Sequence, residues 1–271
     1  MNSYSPLLGV FAYNRPSHFK RLLISLENFK IDQIILFIDG PKNQVDKVNQ
    51  LYIVNMAKTS RLNFKIIKRK KNLGLKKSLL NGIDYMARNS NFFTILEDDI
   101  VIYENFFKLN YKNLIKYQNK KNIFSICGFQ FKNLEKNYKF LSSLQIKYFI
   151  PWGWSCWSDK WKNLRKSNSH LNFEKPLYLK NKFKLNNNNY WSLDLINYCK
   201  RNNFEFIYPT VSLLKNIGFD GSGVNSKVSS SFIMSEKKVS SAKDVTLINY
   251  KEKKINQLFY ANLKKYAELF Y

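Results

Sequence analysis

The feature that most constrains this chain is an alternation, in its first hundred residues, of short apolar runs with stretches of helical spacing. Leu7 to Tyr13 is a run suited to a buried strand. Ser17 to Phe29 carries apolar residues at 19, 22, 23, 26 and 29, a helical period opened by Pro16 and Ser17. Ile34 to Ile38 repeats the strand signal and stops at Asp39-Gly40-Pro41, strong turn chemistry. Val45 to Ala57 reads as helix, and Phe64 to Ile67 as strand, followed by a basic loop to Gly74. Leu75 to Met86 reads as helix, with Leu75, Leu79, Ile83 and Met86 on one face, and Phe92 to Leu96 as a fourth strand. Such an alternation predicts an α/β, Rossmann-like chain whose mostly parallel central sheet is covered by helices.

Parallel sheets of this kind bind ligands at the carboxyl ends of their strands. The polar signals fall there four times in succession: Asn14-Arg15, Asp39, Asn72 to Gly74, and Glu97-Asp98-Asp99. One such cluster means little, but four in sequence describe a mononucleotide site. The triplet is the sharpest. Three consecutive carboxylates repel one another unless a cation joins them, and a divalent ion with a bound diphosphate is the usual solution. Asp99 is the expected metal ligand, with Asp98 toward the ribose or the metal's waters. Arg15 is expected on phosphate, because its planar fork suits that partner. Asp39 is expected to accept from a base N–H. Asn72 and Gly74 would bring backbone N–H groups at a helix start close to the ligand. Each also has a plainer reading: a solvated turn, a surface arginine or a simple cap.

The second half is less regular. Ile123 to Cys127 and Phe204 to Tyr208 read as strands and Trp191 to Arg201 as helix. Pro151 to Trp161 reads as an aromatic loop. Trp152 and Trp154 could stack on a sugar that Gly153 lets approach, or could simply pack in the core. Asn216 to Asn225 is a Gly-rich loop. A hydroxyl acceptor needs a general base; Asp194, early in the helix after Trp191, is preferred, with Asp220 of the Gly-rich loop as the alternative. The tail after Ser226 ends in apolar residues at 255, 258, 259, 263, 266 and 270, one helical face. That face could lie on an anionic membrane or dock on the body.

Composition narrows the classes. The 271 residues hold 45 Lys+Arg against 19 Asp+Glu, a net charge of +26, but the basic residues are nearly all Lys and are spread along the chain. They predict attraction to anionic surfaces rather than a nucleic-acid stripe. Cys127, Cys156 and Cys199 are an odd set without metal or redox spacing, expected as packed thiols. No apolar run approaches membrane-spanning length, and the N-terminus lacks the pattern of a signal peptide. The expected location is the cytoplasm, with peripheral contact at the inner face of a membrane.

Six segments in order, FAYNRP, FIDGPK, KNLGLKKSLLNGI, ILEDDI, PWGWSCWSDKW and NIGFDGSG, resemble those of bacterial GT-A glycosyltransferases related to eukaryotic N-acetylglucosaminyltransferase I. The likeness runs from about residue 8 to 225. It implies a GT-A catalytic domain over 1–225, with a donor half to about 110 and an acceptor half beyond, then a basic tail over 226–271. It also implies inverting transfer from a UDP-sugar with Mn²⁺ or Mg²⁺ to a glycan or lipid-linked glycan. By position, Arg15 and Asp39 would touch the nucleotide, Asp98 and Asp99 would fill the acidic motif, and Asp99 would hold the metal. The family's base is an acid after a Trp in the helix that follows the aromatic loop. Here Trp191 is followed by Ser192, and the acid is displaced to Asp194. A sugar-nucleotidyltransferase or a non-catalytic carbohydrate binder are the competing expectations, although the former calls for a Gly-rich first loop and residues 14–18 contain no Gly.

Overall fold

The computed structural model describes residues 6–137, 142–167, 191–222, 249–250 and 253–270. The expected alternation is present. Strand β1 (Leu7–Ala12) leads to helix α1 (Pro16–Leu26), then β2 (Ile34–Ile38), α2 (Gln44–Thr59), β3 (Phe64–Lys68), α3 (Leu75–Asn89) and β4 (Phe92–Glu97). Helix α1 starts where Pro16 sits at its first turn, a position that tolerates a missing N–H. Helix α2 starts where the Asn43 side chain accepts from the Asp46 N–H at 2.9 Å. Strands β1 and β2 are buried along nearly their whole length. That explains their continuous apolar runs, since a strand covered on both faces has no reason to alternate.

The chain then adds β5 (Ile100–Ile102), α4 (Phe106–Tyr117), β6 (Ile123–Cys127), β7 (Ser143–Ile146), β8 (Trp154–Trp157) and α5 (Ser158–Ser167). After these come α6 (Trp191–Arg201), β9 (Glu205–Pro209), β10 (Leu214–Asn216), β11 (Asn249–Tyr250) and α7 (Lys253–Phe270). Nine strands form one sheet in the order β11-β7-β9-β6-β8-β4-β1-β2-β3. Strand β1 pairs parallel with β2 and β4, and β2 pairs parallel with β3. Strand β8 is antiparallel to both β4 and β6 and so joins the two halves. The class is α/β, Rossmann-like, with a sheet of predominantly parallel pairs.

One element differs from expectation. The segment from Pro151 to Trp161 is not a loop: it contains β8 and the start of α5. Trp154 to Trp157 is buried on both faces in mid-sheet, so its sequence shows no alternation. The apolar face of α7 is packed on the body, with Ile255, Phe259 and Leu263 buried and Phe259 in edge contact with Phe131 and Tyr208. This is the second of the two expected readings, docking on the body, although Leu258 of the same face is 43% exposed. The preceding tail, 226–248, lies outside the described residues, as do residues 223–225 of the Gly-rich loop. No helix among the described residues is long and apolar enough to cross a membrane. Cys127, Cys156 and Cys199 are free and buried, and burial pushes the Cys127 thiol up to about 12.

Candidate functional site

The acidic triplet sits at a corner of the sheet. Glu97 still pairs with Phe11 in the β1–β4 ladder, and the Asp98 N–H donates to Phe11 O at 2.9 Å. The chain then turns through Asp99 into β5, which leaves the main sheet and pairs antiparallel with β10. The Ile217 N–H closes this turn onto Asp99 O at 2.8 Å. The end of β10 is thereby laid over the acids: a Cβ on Gly218 would lie 2.3 Å from Asp99 Oδ2. Any larger residue there would have to displace that carboxylate. Asn216 holds the glycine, its Oδ1 accepting the Gly218 N–H at 2.8 Å. In the sequence Asn216 and Gly218 carry no signal beyond the Gly-rich character of NIGFDGSG.

Arg15 comes to the same corner from the end of β1. Its Nη2 donates to Asp98 Oδ1 and lies 2.9 Å from Asp99 Oδ2. One guanidinium thus bridges the two carboxylates. Its fork offsets the charge of acids that cannot stand unpaired at such low exposure. The Tyr13 N–H also points at Asp98, 3.4 Å from Oδ2. Burial first, and then the neighbouring Asp99 against the pull of Arg15, lifts Asp98 to about 6. Burial and the two aspartates lift Glu97 to about 8. The site is poor in compensating positive charge for three acids. Helix α1 begins at Pro16, next to Arg15, without a side-chain cap.

Asp39, Asn72 and Gly74 do not reach this corner as free ligand groups. Asp39 is 6% exposed. Its carboxylate accepts from the Gly40 N–H at 2.9 Å, the Leu73 N–H at 3.0 Å and the Gly74 N–H at 3.0 Å. Asn72 Nδ2 donates to Gly40 O at 2.7 Å. These groups satisfy one another and tie the end of β2 to the start of α3. Asp39 and the Gly74 N–H thus meet each other in a clamp between the two turns. A second network passed unnoticed in the sequence: Asp46 accepts from Tyr13 Oη at 2.6 Å, Asn14 Nδ2 at 2.6 Å and the Lys42 N–H at 2.9 Å. The signal was present, since Asn43 followed three residues later by Asp46 is a capping spacing.

The aromatic residues are core. Trp154 is fully buried, edge-on to Phe93 and Phe149 and stacked on Trp191 at 6.0 Å. It has no face left for a sugar, which corrects that expectation. Trp152 is 7% exposed, edge-on to Phe129 at 4.8 Å and Phe219 at 5.4 Å. Its value to the site is indirect, as a backing for the loop that carries Gly218. Gly153 has φ 57° and its Cβ position is taken by Leu214 Cδ2 at 2.3 Å, so it is glycine for packing and backbone reasons.

Of the two base candidates, Asp194 stands in the first turn of α6 and pairs with Lys76 of α3 at 3.0 Å. The first turn of α3 follows the carboxyl end of β3. Asp220 is half-exposed, two residues beyond Gly218, and its Oδ1 accepts from the Ser222 N–H at 3.0 Å. His18 Nε2 lies 3.2 Å from Asp220 Oδ2 but without hydrogen-bond alignment.

A divalent cation fits this corner in a limited sense. Among the described residues no three His, Cys, Asp or Glu side chains converge as a ready-made cage. Asp99 offers one hard, partly exposed oxygen donor under Gly218. That suits an ion completed by substrate phosphates and water, as Mg²⁺-like sites commonly are.

No protein-family model matches the sequence, and no curated protein matches it. Among solved structures the chain is similar to S. aureus TarS (14% identity, 74% of this chain and 60% of that one, TM-score 0.42). It is also similar to a UDP-glucose pyrophosphorylase complexed with UDP-glucose (12%, 75% and 89%, 0.39) and to an active-site mutant of LgtC (11%, 58% and 59%, 0.36). The chain spans about six-tenths of the solved TarS segment, residues 1–349, and of the LgtC chain. At these values the likenesses bring no activity to this chain.

Proposed function

We propose that the chain is an inverting glycosyltransferase that moves a sugar from a nucleotide-sugar, read as a UDP-sugar, to a hydroxyl of a glycan or lipid-linked glycan. The observation that supports it is the corner where Arg15 bridges Asp98 and Asp99 beneath Gly218. A carboxylate pair, a fixed guanidinium and an uncapped helix start together suit a metal-borne diphosphate. Asp99 would hold Mn²⁺ or Mg²⁺, which when bound supplies Lewis-acid charge to the departing diphosphate. Arg15 has N–H groups beyond those given to the two acids, and these orient the diphosphate. Asp98 keeps Arg15 in place.

Asp194 is the proposed base. It takes the acceptor hydroxyl's proton as that oxygen bonds to the anomeric carbon, while the carbon–oxygen bond to diphosphate breaks and its electron pair leaves with UDP. Lys76 must yield its partner to the acceptor in this step. A second reading gives the proton to Asp220, favoured by its half-exposed position two residues from Gly218. Work in surface-glycan synthesis on the cytoplasmic side belongs to the same proposal. A sugar-nucleotidyltransferase is the remaining alternative.

The test is a panel of UDP-sugars incubated with Mn²⁺ and wild type, Asp194→Asn or Asp220→Asn, with release of UDP as the readout. Loss of about a hundredfold or more in Asp194→Asn alone supports the first reading. Loss in Asp220→Asn alone moves the base to the Gly-rich loop. Pyrophosphate release from UTP and a sugar phosphate would replace the proposal by the nucleotidyltransferase.

A further inference from the structure

The turn out of β3 is pressed against the turn out of β2. Asn72 Nδ2 donates to Gly40 O at 2.7 Å, and a Cβ on Gly40 would lie 2.1 Å from the Lys71 carbonyl carbon. Because β3 is the last strand of the sheet, these turns form its outer rim at the carboxyl-terminal edge. On that rim Leu73 and Leu75 are 36% and 43% exposed. Lys68, Lys70, Lys71 and Lys77 around them are exposed. On the adjoining turn Lys42 is exposed, and Val45, in the first turn of α2, is 67% exposed.

The charge here is unusually one-sided. Residues 40–83 hold eleven Lys or Arg and one carboxylate, Asp46. Asp46 and the bordering Asp39 are buried and their oxygens are engaged by Tyr13, Asn14 and backbone N–H groups. Neither offsets the lysines. A soluble polyanion would need only the charge; aliphatic side chains held out in water among lysines gain free energy only where an apolar phase lies beside the anions.

We propose that this rim docks on an anionic lipid bilayer, with Leu73 and Leu75 entering the headgroup region and the lysines around them facing lipid phosphates. Helix α7 is less suited to that role, since Ile255, Phe259 and Leu263 are buried against the body and Leu258 is exposed without a second large aliphatic neighbour among its described side chains. Docking would bring the carboxyl-terminal edge of the sheet, and with it the Arg15 corner, to the membrane surface. The inference does not depend on the reaction proposed for that corner.

The test is co-sedimentation of the full chain with vesicles of phosphatidylcholine alone or mixed equally with phosphatidylglycerol. Lys70→Gln/Lys71→Gln and Leu73→Ser/Leu75→Ser are compared with a distant control, Lys120→Gln/Lys121→Gln, after equal melting temperatures show that all are folded. Wild type and control should bind only the anionic vesicles. The lysine variant should bind roughly thirtyfold more weakly, and the leucine variant roughly tenfold more weakly. Equal binding to neutral vesicles, equal loss in the control, or full binding by the leucine variant would overturn the proposal; the last would mark the rim as a charge-only surface for a soluble polyanion.

Discussion

Arg15 Nη2 stands 2.9 Å from Asp99 Oδ2 while also donating to Asp98, so a single cationic group from the end of β1 balances two acids from the end of β4. Arg15→Ala would leave those acids at low exposure without a counter-charge. The loss expected is about 3 kcal/mol, the cost of breaking a largely buried pair. Mn²⁺ should restore part of it, because a cation at Asp99 substitutes for the guanidinium. Urea unfolding with and without Mn²⁺ checks both statements. A variant as stable as wild type would show that Arg15 is not the partner these acids require.

Gly218→Ala should separate binding from stability. The added methyl would meet Asp99 Oδ2 at 2.3 Å and must push the carboxylate or the loop aside. Metal-dependent UDP affinity should fall more than tenfold, about 1.4 kcal/mol, with the melting temperature shifted by only a few degrees. Calorimetry and a thermal melt give the two numbers. Unchanged affinity would mean that the β10 loop is not part of the donor site.

Asp39 separates a clamp from a reader of the base. Its carboxylate accepts N–H groups from Leu73 and Gly74, so Asp39→Ala should cost about 2 kcal/mol of stability through orphaned buried donors. UDP and CDP affinities should fall together and modestly. A selective loss of UDP affinity in a variant of full stability would restore the base-reading role.

Asp46 gives a pH signature. Burial alone would raise its pKa, but hydrogen bonds from Tyr13, Asn14 and the Lys42 N–H outweigh burial and hold it below the usual carboxylate value. A group with a depressed folded pKa contributes stability that is fully present above its unfolded pKa and disappears as pH falls through the folded one. The wild-type melting temperature should therefore decline as pH drops below about 4, and Asp46→Asn should be less stable at neutral pH with a flatter decline. Parallel curves for the two proteins would remove Asp46 from the acid response.

Much of this was legible in sequence for definite reasons. The strands β1 and β2 are continuous apolar runs because both faces are covered, and turn chemistry at Asp39-Gly40-Pro41 marks where one ends. The acidic triplet announced itself because unpaired carboxylates after a buried strand demand a cation. What stayed hidden depends on contacts distant in sequence. That Asp39 meets the Leu73 and Gly74 N–H groups is decided 34 and 35 residues away. That Trp154 is core is decided by Phe93, Phe149 and Trp191. The pairing of β5 with β10 joins segments over a hundred residues apart, and only that pairing brings Gly218 to Asp99.

The most direct measurement is calorimetric titration of UDP into wild type and Asp99→Ala, each with and without Mn²⁺. Binding by wild type that requires Mn²⁺ and is lost in Asp99→Ala, with the variant still folded by its thermal melt, is the result expected from a donor site at the Arg15–Asp98–Asp99 corner. UDP binding that is independent of metal and untouched by Asp99→Ala, or no binding of UDP by wild type under either condition, would contradict it.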